Sequence, residues 1–326
     1  MVVTKDKYET INKEFSKLNL PFMCYDIVMK AIFIDEVNIL AKMISDVTGI
    51  DYKLLEDNII LEVNELPVSI KNEKAKRCDF VLKIDKNNIL NLEINTSYYP
   101  ELVIKNLSYL FNIYSRTSKK NEKYNKNILI RQLNLNCYDD NLDKPLSKYT
   151  LLEEETHMLY SKSIAIFDLN VVKCNDVYYN LSNKEVIPNY IRWGALIYNR
   201  DFKKIPEIAE GIMTGEEVRQ IMDKIESLTD DNLFMSDLET LEMYRKEEEA
   251  IRDYGEQLAR ERGHAQGMAE GMAQGMAEGM AQGMAQGIEQ NTKELILSMV
   301  KNDATLEFIS KVTNKTIDEI KEIIKE

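Results

Sequence analysis

The chain has 326 residues, of which 44% are hydrophobic and 30% are charged. This length predicts about two domains, and this composition is typical of folded rather than disordered protein. The four cysteines form no CxxC pair and there are only two histidines, which argues against a zinc site, a disulfide framework and a multi-histidine metal centre. The glycine motifs of dinucleotide-binding and P-loop proteins are also missing from the sequence.

The net charge of −13 lies in the second half of the chain. Residues 1–150 contain 22 Lys and Arg against 21 Asp and Glu, whereas residues 151–326 contain 20 against 34. The near-neutral first half therefore leaves room for a phosphate-bearing partner. The sequence has no run of apolar residues long enough to span a membrane, and its first twenty residues lack the apolar stretch of a signal peptide. We therefore expect a cytoplasmic protein without a membrane partner.

The first 175 residues have the pattern of an α/β protein. Between Pro21 and Gly49, apolar residues recur at spacings of three and four, which predicts an amphipathic helix or a helix pair. A second helix is predicted over 101–118. Short β-branched or leucine-rich runs predict strands at 58–63, 79–84, 89–95, 127–136 and 163–169. Because a polar turn at 85–88 joins the second and third of these strands, they are predicted to form a β-hairpin.

Beyond Pro206 the sequence has no proline, and its pattern becomes helical. Three Ser/Thr-x-x-Glu segments have the form of a capping box and predict helix starts, at Thr214, Ser236 and Thr316. From Ser236 onward, apolar residues follow a period near 3.5, which predicts a helix that packs on another helix as in a coiled coil. The C-terminal region is thus predicted to be mostly α-helical.

Glycine recurs every four residues from Gly263 to Gly287, mostly separated by Met-Ala-Gln or Met-Ala-Glu. Each glycine inside a helix costs about 1 kcal/mol relative to alanine, so these repeats predict either a spacer or a stalk for self-association. We expect the chain to form a homo-oligomer through this helical region. The predicted domains are a core at 1–175, a helical extension at 176–235, a long repeat helix at 236–290 and a helical cap at 291–326.

One pair of acidic residues lies on the predicted hairpin. Side chains alternate between the faces of a strand, so Glu93 and Asn95 point to one side, and the hairpin turn places Asp79 opposite one of them. Directly opposed β carbons lie about 5 Å apart, so Asp79 and Glu93 can share a divalent cation. Mg²⁺ or Mn²⁺, which prefer oxygen ligands, would relieve their repulsion. The alternative is that these residues form the solvated face of an amphipathic sheet.

Four segments of the chain resemble the family of recombination-promoting nucleases and transposases within the PD-(D/E)XK superfamily. The family's opening helix is matched by CYDIVMKAIF at Asp26, Lys30 and Phe33. Its central hairpin is matched by KRCDFVLKIDKNNILNLEIN, with Asp79 and Glu93 as the acidic pair. The following helix and strand are matched by IKNLSYLFNIYS and NEKYNKNILIRQLNLN. Such proteins also carry a helical, acidic tail with glycine repeats.

The resemblance implies a restriction-endonuclease-like fold, in which helices flank a mixed central β-sheet. It further implies a Mg²⁺- or Mn²⁺-dependent DNA endonuclease that acts in recombination, transposition or defence. Asp79, Glu93 and the backbone carbonyl of Ile94 would bind the metal ion, and Asn95 would position the attacking water. The first helix would contribute a further acidic group to the catalytic site, either Asp26 or Glu36, with Asp26 favoured because it matches the family. Lys105 and Tyr109 would contact the phosphate of the DNA.

The chain departs from the superfamily pattern at two positions. Asn95 occupies the position of the motif lysine, and an amide can hold water but supplies neither charge nor a useful acid. Lys83 is a candidate for a lysine that has moved to another strand. Cys78 stands where the motif has proline, a change that the superfamily tolerates. The alternative function is therefore a catalytically degenerate nuclease fold that acts as an oligomeric DNA- or protein-binding protein.

Overall fold

A computed structural model describes residues 5–62, 65–66, 76–117, 123–139, 144–181 and 187–325. The chain divides into two compact units, Met1–Tyr244 and Arg245–Glu326. This division does not test the domain limits drawn from the sequence, which remain predictions. Within the described ranges, no helix combines the length and the apolar character that crossing a membrane requires.

The first unit is built on a six-stranded mixed sheet with the spatial order β1-β4-β5-β6-β8-β7. β5 pairs in parallel with β6, and β6 with β8, while the outer strands pair antiparallel. A separate two-stranded sheet contains β2 and β3. The strands are β1 (Ile60–Glu62), β2 (Glu65–Leu66), β3 (Lys76–Arg77), β4 (Phe80–Lys83), β5 (Asn88–Asn95), β6 (Leu129–Asn136), β7 (Leu146–Leu152) and β8 (Leu159–Asn170).

The described residues of the first unit contain nine complete helices and the beginning of a tenth, α10. They are α1 (Lys5–Phe15), α2 (Asp26–Phe33), α3 (Val37–Thr48), α4 (Tyr52–Asn58), α5 (Leu102–Ser115), α6 (Val171–Asn180), α7 (Asn189–Ile197), α8 (Ile205–Ala209), α9 (Gly215–Asp230) and α10 (Asn232–Lys301). The predicted α/β core with a mixed sheet flanked by helices and a mostly helical C-terminal region is confirmed. Pro21 and Gly49 enclose a helix pair, α2 and α3, and Gly49 ends α3 at a φ of 72°.

The two faces of the sheet are covered by different helices. Phe80, Leu82, Leu90, Leu92 and Ile94 lie in the larger apolar core, together with buried residues of α2, α3, α6 and α7. The opposite face is apolar only in part, where Ile130 and Ile164 pack with Leu110 and Ile113 of α5. Since β5 and β6 are parallel neighbours and α5 connects them, α5 lies over the face that carries Glu93 and Asn95.

The β4–β5 hairpin has the predicted turn and register. Asp85 accepts hydrogen bonds from the backbone amides of Asn87 and Asn88, at 2.6 and 2.8 Å, which fixes the turn. Phe80 pairs with Leu92 in the ladder that follows. A polar Asp-x-Asn-Asn turn between two apolar runs therefore sets which residues of the two strands face each other.

The helix starts were predicted correctly at two of three positions. Thr214 and Glu217 form a capping box at the start of α9, and Thr316 and Glu319 exchange the same bonds before α12 (Ile317–Lys325). The predicted start at Ser236 is wrong, because α10 already begins at Asn232, where Asp231 accepts bonds from the first backbone amides. A Ser-x-x-Glu pattern therefore does not by itself indicate that a helix begins at the serine.

The second unit contains the glycine repeats and a small cap. The repeats lie within α10, a helix of 70 residues, and their methionines are 65–76% exposed. The cap is formed by the end of α10 with α11 (Leu306–Thr313) and α12, whose apolar contacts centre on Ile296, Ile309 and Ile320. Oligomerisation through this region remains a prediction.

Candidate active site

The β4–β5 hairpin brings Asp79 and Glu93 together at the end of its ladder. The ladder ends at Phe80 and Leu92, and just beyond it Asp79 Oδ2 accepts the backbone N–H of Ile94 at 2.8 Å. Glu93 follows Leu92 just as Asp79 precedes Phe80, so the register places the two acids opposite each other, and the charge of Asp79 acts on the Glu93 carboxylate. Two carboxylates that lie opposite each other on paired strands repel each other.

Burial changes the acidity of both carboxyl groups, and the charge of Asp79 adds to the change at Glu93. Burial, followed by the negative charge of Asp79, raises the pKa of Glu93 to about 7. The Glu93 side chain is only 1% exposed. Burial also raises the pKa of Asp79, although the attraction of Lys30 and the Ile94 amide oppose this effect. Such shifts are typical of sites that bind a cation or transfer a proton.

Each carboxylate has a lysine beside it. Lys30 of α2 donates to Asp79 Oδ1 at 3.2 Å and to Asp26 Oδ2 at 2.9 Å. Lys105 Nζ of α5 lies 3.8 Å from Glu93 Oε2. Burial lowers the pKa of both lysines, but the neighbouring carboxylates outweigh burial and leave each pKa above its usual value. The site therefore contains two cations that can attract an anion such as a phosphate.

The structure also places the other residues expected at this site. Asp26 lies at the start of α2 and contacts Asp79 only through Lys30. Glu36 precedes α3 instead, and its charged neighbours are Asp35, Lys224 and Glu217. Of the two candidates, Asp26 is thus the one joined to Asp79.

Tyr109 lies one turn beyond Lys105 on α5. The Lys105 ammonium lies 5.4 Å from the centre of the Tyr109 ring, within the range of a cation–π contact. Tyr109 also packs against the small apolar cluster that contains Cys78 and Leu110. The tyrosine therefore supports both the position of Lys105 and the packing of α5 on the sheet.

Asn95 is buried, and its amide is already engaged. Asn95 Nδ2 donates to Asn136 Oδ1 at 3.0 Å, whereas its own Oδ1 has no partner among the described residues. Lys83 pairs with Ile89 at the turn end of the hairpin, four positions from Asp79 along the strand. At about 3.3 Å per residue, this places Lys83 roughly 13 Å from Asp79. Lys30 is the lysine that contacts Asp79.

A row of amide side chains continues from this site across the sheet. Asn91 Nδ2 donates to Glu93 Oε1 at 3.1 Å. On the next strands, Gln132 Nε2 donates to Asn134 Oδ1 at 2.9 Å, and Asn134 Nδ2 donates to Asp168 Oδ1 at 2.7 Å. These residues share the face that α5 covers. Each of the three amides is at least 95% buried.

Oxygen donors for a cation are present in this arrangement. No group of three or more His, Cys, Asp and Glu residues among those described could hold a metal ion, so any ion here would rely on the two carboxylates and on other oxygens. An extended residue turns its N–H and C=O to the same side, so the Ile94 carbonyl points toward Asp79, as its N–H does. Two carboxylates, a carbonyl and water suit Mg²⁺, which keeps several waters when bound.

Sequence reasoning missed Lys30 as a neighbour of Asp79, and it missed the amide row. Lys30 is 49 residues from Asp79 in sequence, and only the packing of α2 on the sheet joins them. A signal for the amide row was present, because RQLNLN alternates polar and apolar residues along β6. Buried amides at every second position indicate a polar patch inside the protein rather than a solvated face.

The comparison with protein families agrees with this arrangement. Residues 23–261 match the family described as PD-(D/E)XK nuclease family transposase. No match was found among curated proteins or among solved structures. The family match spans more than half of the chain and includes the helix of Lys30, the hairpin of Asp79 and Glu93, and α5. The chain therefore belongs to the PD-(D/E)XK nuclease family transposases.

Proposed function

We propose that this protein is a Mg²⁺-dependent DNA endonuclease, with Mn²⁺ as an alternative ion, which acts in recombination, transposition or defence. The observation that carries the proposal is the meeting of Asp79 and Glu93 at the end of one hairpin, with the Ile94 backbone between them. These two carboxylates and the Ile94 carbonyl would hold the ion. Family membership makes the nuclease chemistry the first expectation for this site.

A bound divalent cation supplies Lewis acidity at a phosphate oxygen and lowers the pKa of water. The residues of the chain would do the rest. Lys30 and Lys105, which flank the two carboxylates, would attract the phosphate and orient it. The unpartnered Oδ1 of Asn95 would accept a hydrogen bond from the attacking water and so position it.

Asp26 and Tyr109 would act through the lysines. Asp26 accepts a second hydrogen bond from the Lys30 ammonium that contacts Asp79, and the Tyr109 ring lies against Lys105. Since a lysine has four rotatable bonds in its stem, a second contact restricts where its charge lies. Asp26 and Tyr109 are therefore positioning residues in this proposal.

One observation favours a second candidate, a degenerate nuclease fold that binds DNA or protein without cutting. Asn95 stands where the superfamily has its lysine, and its amide nitrogen is committed to Asn136. An amide can neither donate a proton of useful acidity nor supply charge to the transition state. In this alternative, Lys30 would stabilise Asp79 without supporting catalysis.

A plasmid assay with the full chain separates the two candidates. Supercoiled DNA is incubated with Mg²⁺ or with EDTA, using the wild type, Asp79→Asn and Glu93→Gln. The matched control is Asp57→Asn, which removes an exposed carboxylate of α4. The proposal predicts Mg²⁺-dependent nicking that only the two site variants lose. Nicking of equal rate in all four proteins would refute the site, and its absence from the wild type would favour the degenerate fold.

A further inference from the structure

A cleft of about 340 Å³ opens beside the acidic pair, between α5 and the strands β6, β7 and β8. Its floor contains Gln132, Asn134 and Asp168 from the amide row, and α5 contributes Asn106. Asn134 is in register with Glu93, so the floor begins one strand, or about 4.8 Å, from the proposed metal ligand. This volume is at the lower end of the range for small-molecule sites, about 300–1,000 Å³.

The negative charge in the lining of the cleft disfavours a phosphate inside it. Among the described residues of the lining, Asp168 is the charged one, and it is acidic. The lysines lie instead at the acidic pair, where Lys30 contacts Asp79 and Lys105 faces Glu93. A nucleotide bound with its phosphate at the lysines would thus have to place an uncharged part in the cleft.

One polar atom of the cleft lacks a partner. Asn106 is 6% exposed, and its Oδ1 accepts no hydrogen bond from the described residues. A buried acceptor without a donor is costly to a protein and is a common sign of an absent ligand or water. The amides beside it are occupied, since Gln132 donates to Asn134 and Asn134 donates to Asp168. Asn106 is therefore the amide of the cleft lining that the described residues leave unsatisfied.

Two tyrosines give the cleft flat apolar surfaces. Tyr138 and Tyr149 lie in its lining, and the ring of Tyr138 is 5.8 Å from that of the exposed Tyr98. Aromatic rings of this kind stack with nucleobases, and the stacking tolerates any base. Each nucleobase carries an N–H on its pairing edge, but in a duplex that group is bonded to the opposite strand.

We infer that the cleft binds one unpaired nucleobase of the DNA strand whose phosphate lies at Asp79 and Glu93. The inference rests on the proposed function, since it takes DNA as the ligand, and it adds a preference for single-stranded or locally opened DNA. The Asn106 amide hydrogen-bonds to the pairing edge of the base, and Tyr138 or Tyr149 stacks on its ring. Opening a duplex to free the base costs energy, which disfavours intact duplex as a ligand.

Binding in Mg²⁺-free buffer tests the inference without requiring cleavage. The probe is a fluorescein-labelled single-stranded 15-nucleotide DNA of mixed sequence, and a second DNA of the same length has a tetrahydrofuran abasic unit in place of every base, so that no other register can supply a base to the cleft. Affinity is measured by fluorescence anisotropy with the full chain, and the abasic profile of a protein is the ratio of its affinities for the two DNAs. The abasic DNA should bind the wild type about tenfold more weakly, the scale of one lost stacking contact. Equal affinity for the two DNAs, which is a flat profile, or no measurable binding would overturn the inference.

Two variants and a matched control connect the effect to the cleft. Val103→Trp fills the cleft mouth, whereas Ile104→Trp changes the next residue of α5, which is similarly exposed and does not line the cleft. Only Val103→Trp should weaken binding of the intact DNA and abolish the abasic effect. Asn106→Leu should also weaken binding about tenfold without lowering the melting temperature, because it removes an unpaired buried oxygen. Identical abasic profiles for the two tryptophan variants would overturn the inference.

The cleft and the nuclease proposal can fail separately. Mg²⁺-dependent nicking that Asp79→Asn abolishes, together with a flat abasic profile, would retain the endonuclease and remove the base-binding cleft. An abasic effect that Val103→Trp eliminates, in a protein that does not nick DNA, would retain the cleft and remove the catalytic proposal. The second result would describe a DNA-binding protein with a degenerate site.

Discussion

Replacing Glu93 by glutamine should remove a specific part of the pH dependence of folding. Burial and the charge of Asp79 raise the pKa of Glu93 from 4.5 to about 7 in the folded protein. Between these two pH values the folded protein keeps a proton that the unfolded chain has released. The free energy of unfolding therefore falls as pH rises through this range.

The expected loss in the free energy of unfolding follows from the shift in the pKa of Glu93. A difference of about 2.5 in pKa, at 1.36 kcal/mol per unit, corresponds to roughly 3 kcal/mol between pH 4.5 and pH 8. Glutamine has nearly the same shape and cannot ionise, so the contribution disappears in Glu93→Gln. Mg²⁺ at pH 8 should restore part of the stability of the wild type, because it binds the folded state alone.

Urea unfolding at pH 4.5 and pH 8, followed by circular dichroism, measures the difference. The wild type should lose about 3 kcal/mol more than Glu93→Gln over this range, since titrating groups that lie away from Glu93 contribute equally to both proteins. Glu101→Gln, which removes an exposed carboxylate just before α5, should behave as the wild type. Parallel pH profiles for the wild type and Glu93→Gln would refute the claim that a buried, ionisable Glu93 faces Asp79.

Further predictions concern Lys30 and the packing of α7. Lys30→Met should slow Mg²⁺-dependent nicking by roughly a hundredfold, since it removes the cation beside Asp79, whereas Lys83→Met should not. Equal rates in the plasmid assay would show that Lys30 is not part of the site. Gly194→Ala should destabilise the fold by about 3 kcal/mol, because the new β carbon would lie 2.3 Å from that of Cys174. A urea midpoint unchanged from the wild type would contradict this packing.

The sequence was most informative where local chemistry decides structure. The Asp85 turn fixed the hairpin, and alternation along both strands then placed Asp79 and Glu93 at its end. Strand β7 was missed because its sequence, LSKYTLL, has no strict alternation, and five of its seven residues are exposed at the sheet edge. Edge strands bury little surface, so their sequences give a weak signal.

The contacts of the site could be predicted only in part. Asp79 and Glu93 lie at the end of the same hairpin, on its two sides, and both belong to a recognisable sequence pattern. Lys30 reaches Asp79 across 49 residues, and Asn106 reaches the cleft only because α5 packs over β6 and β8. Such contacts depend on how helices dock on the sheet, which a single sequence does not specify. The sequence of β6 shows the amide row as an alternation of polar and apolar residues, but it does not show that these amides are buried.

Crystals soaked in Mn²⁺ would show whether Asp79 and Glu93 hold one cation, since the anomalous scattering of this ion locates it independently of the rest of the structure. We predict one strong peak within about 2.5 Å of carboxylate oxygens of both Asp79 and Glu93 and of the Ile94 carbonyl. We expect Lys30 to move away from Asp79 when the ion binds. A peak that contacts neither carboxylate, or no peak while Lys30 and Lys105 keep their contacts, would contradict the account.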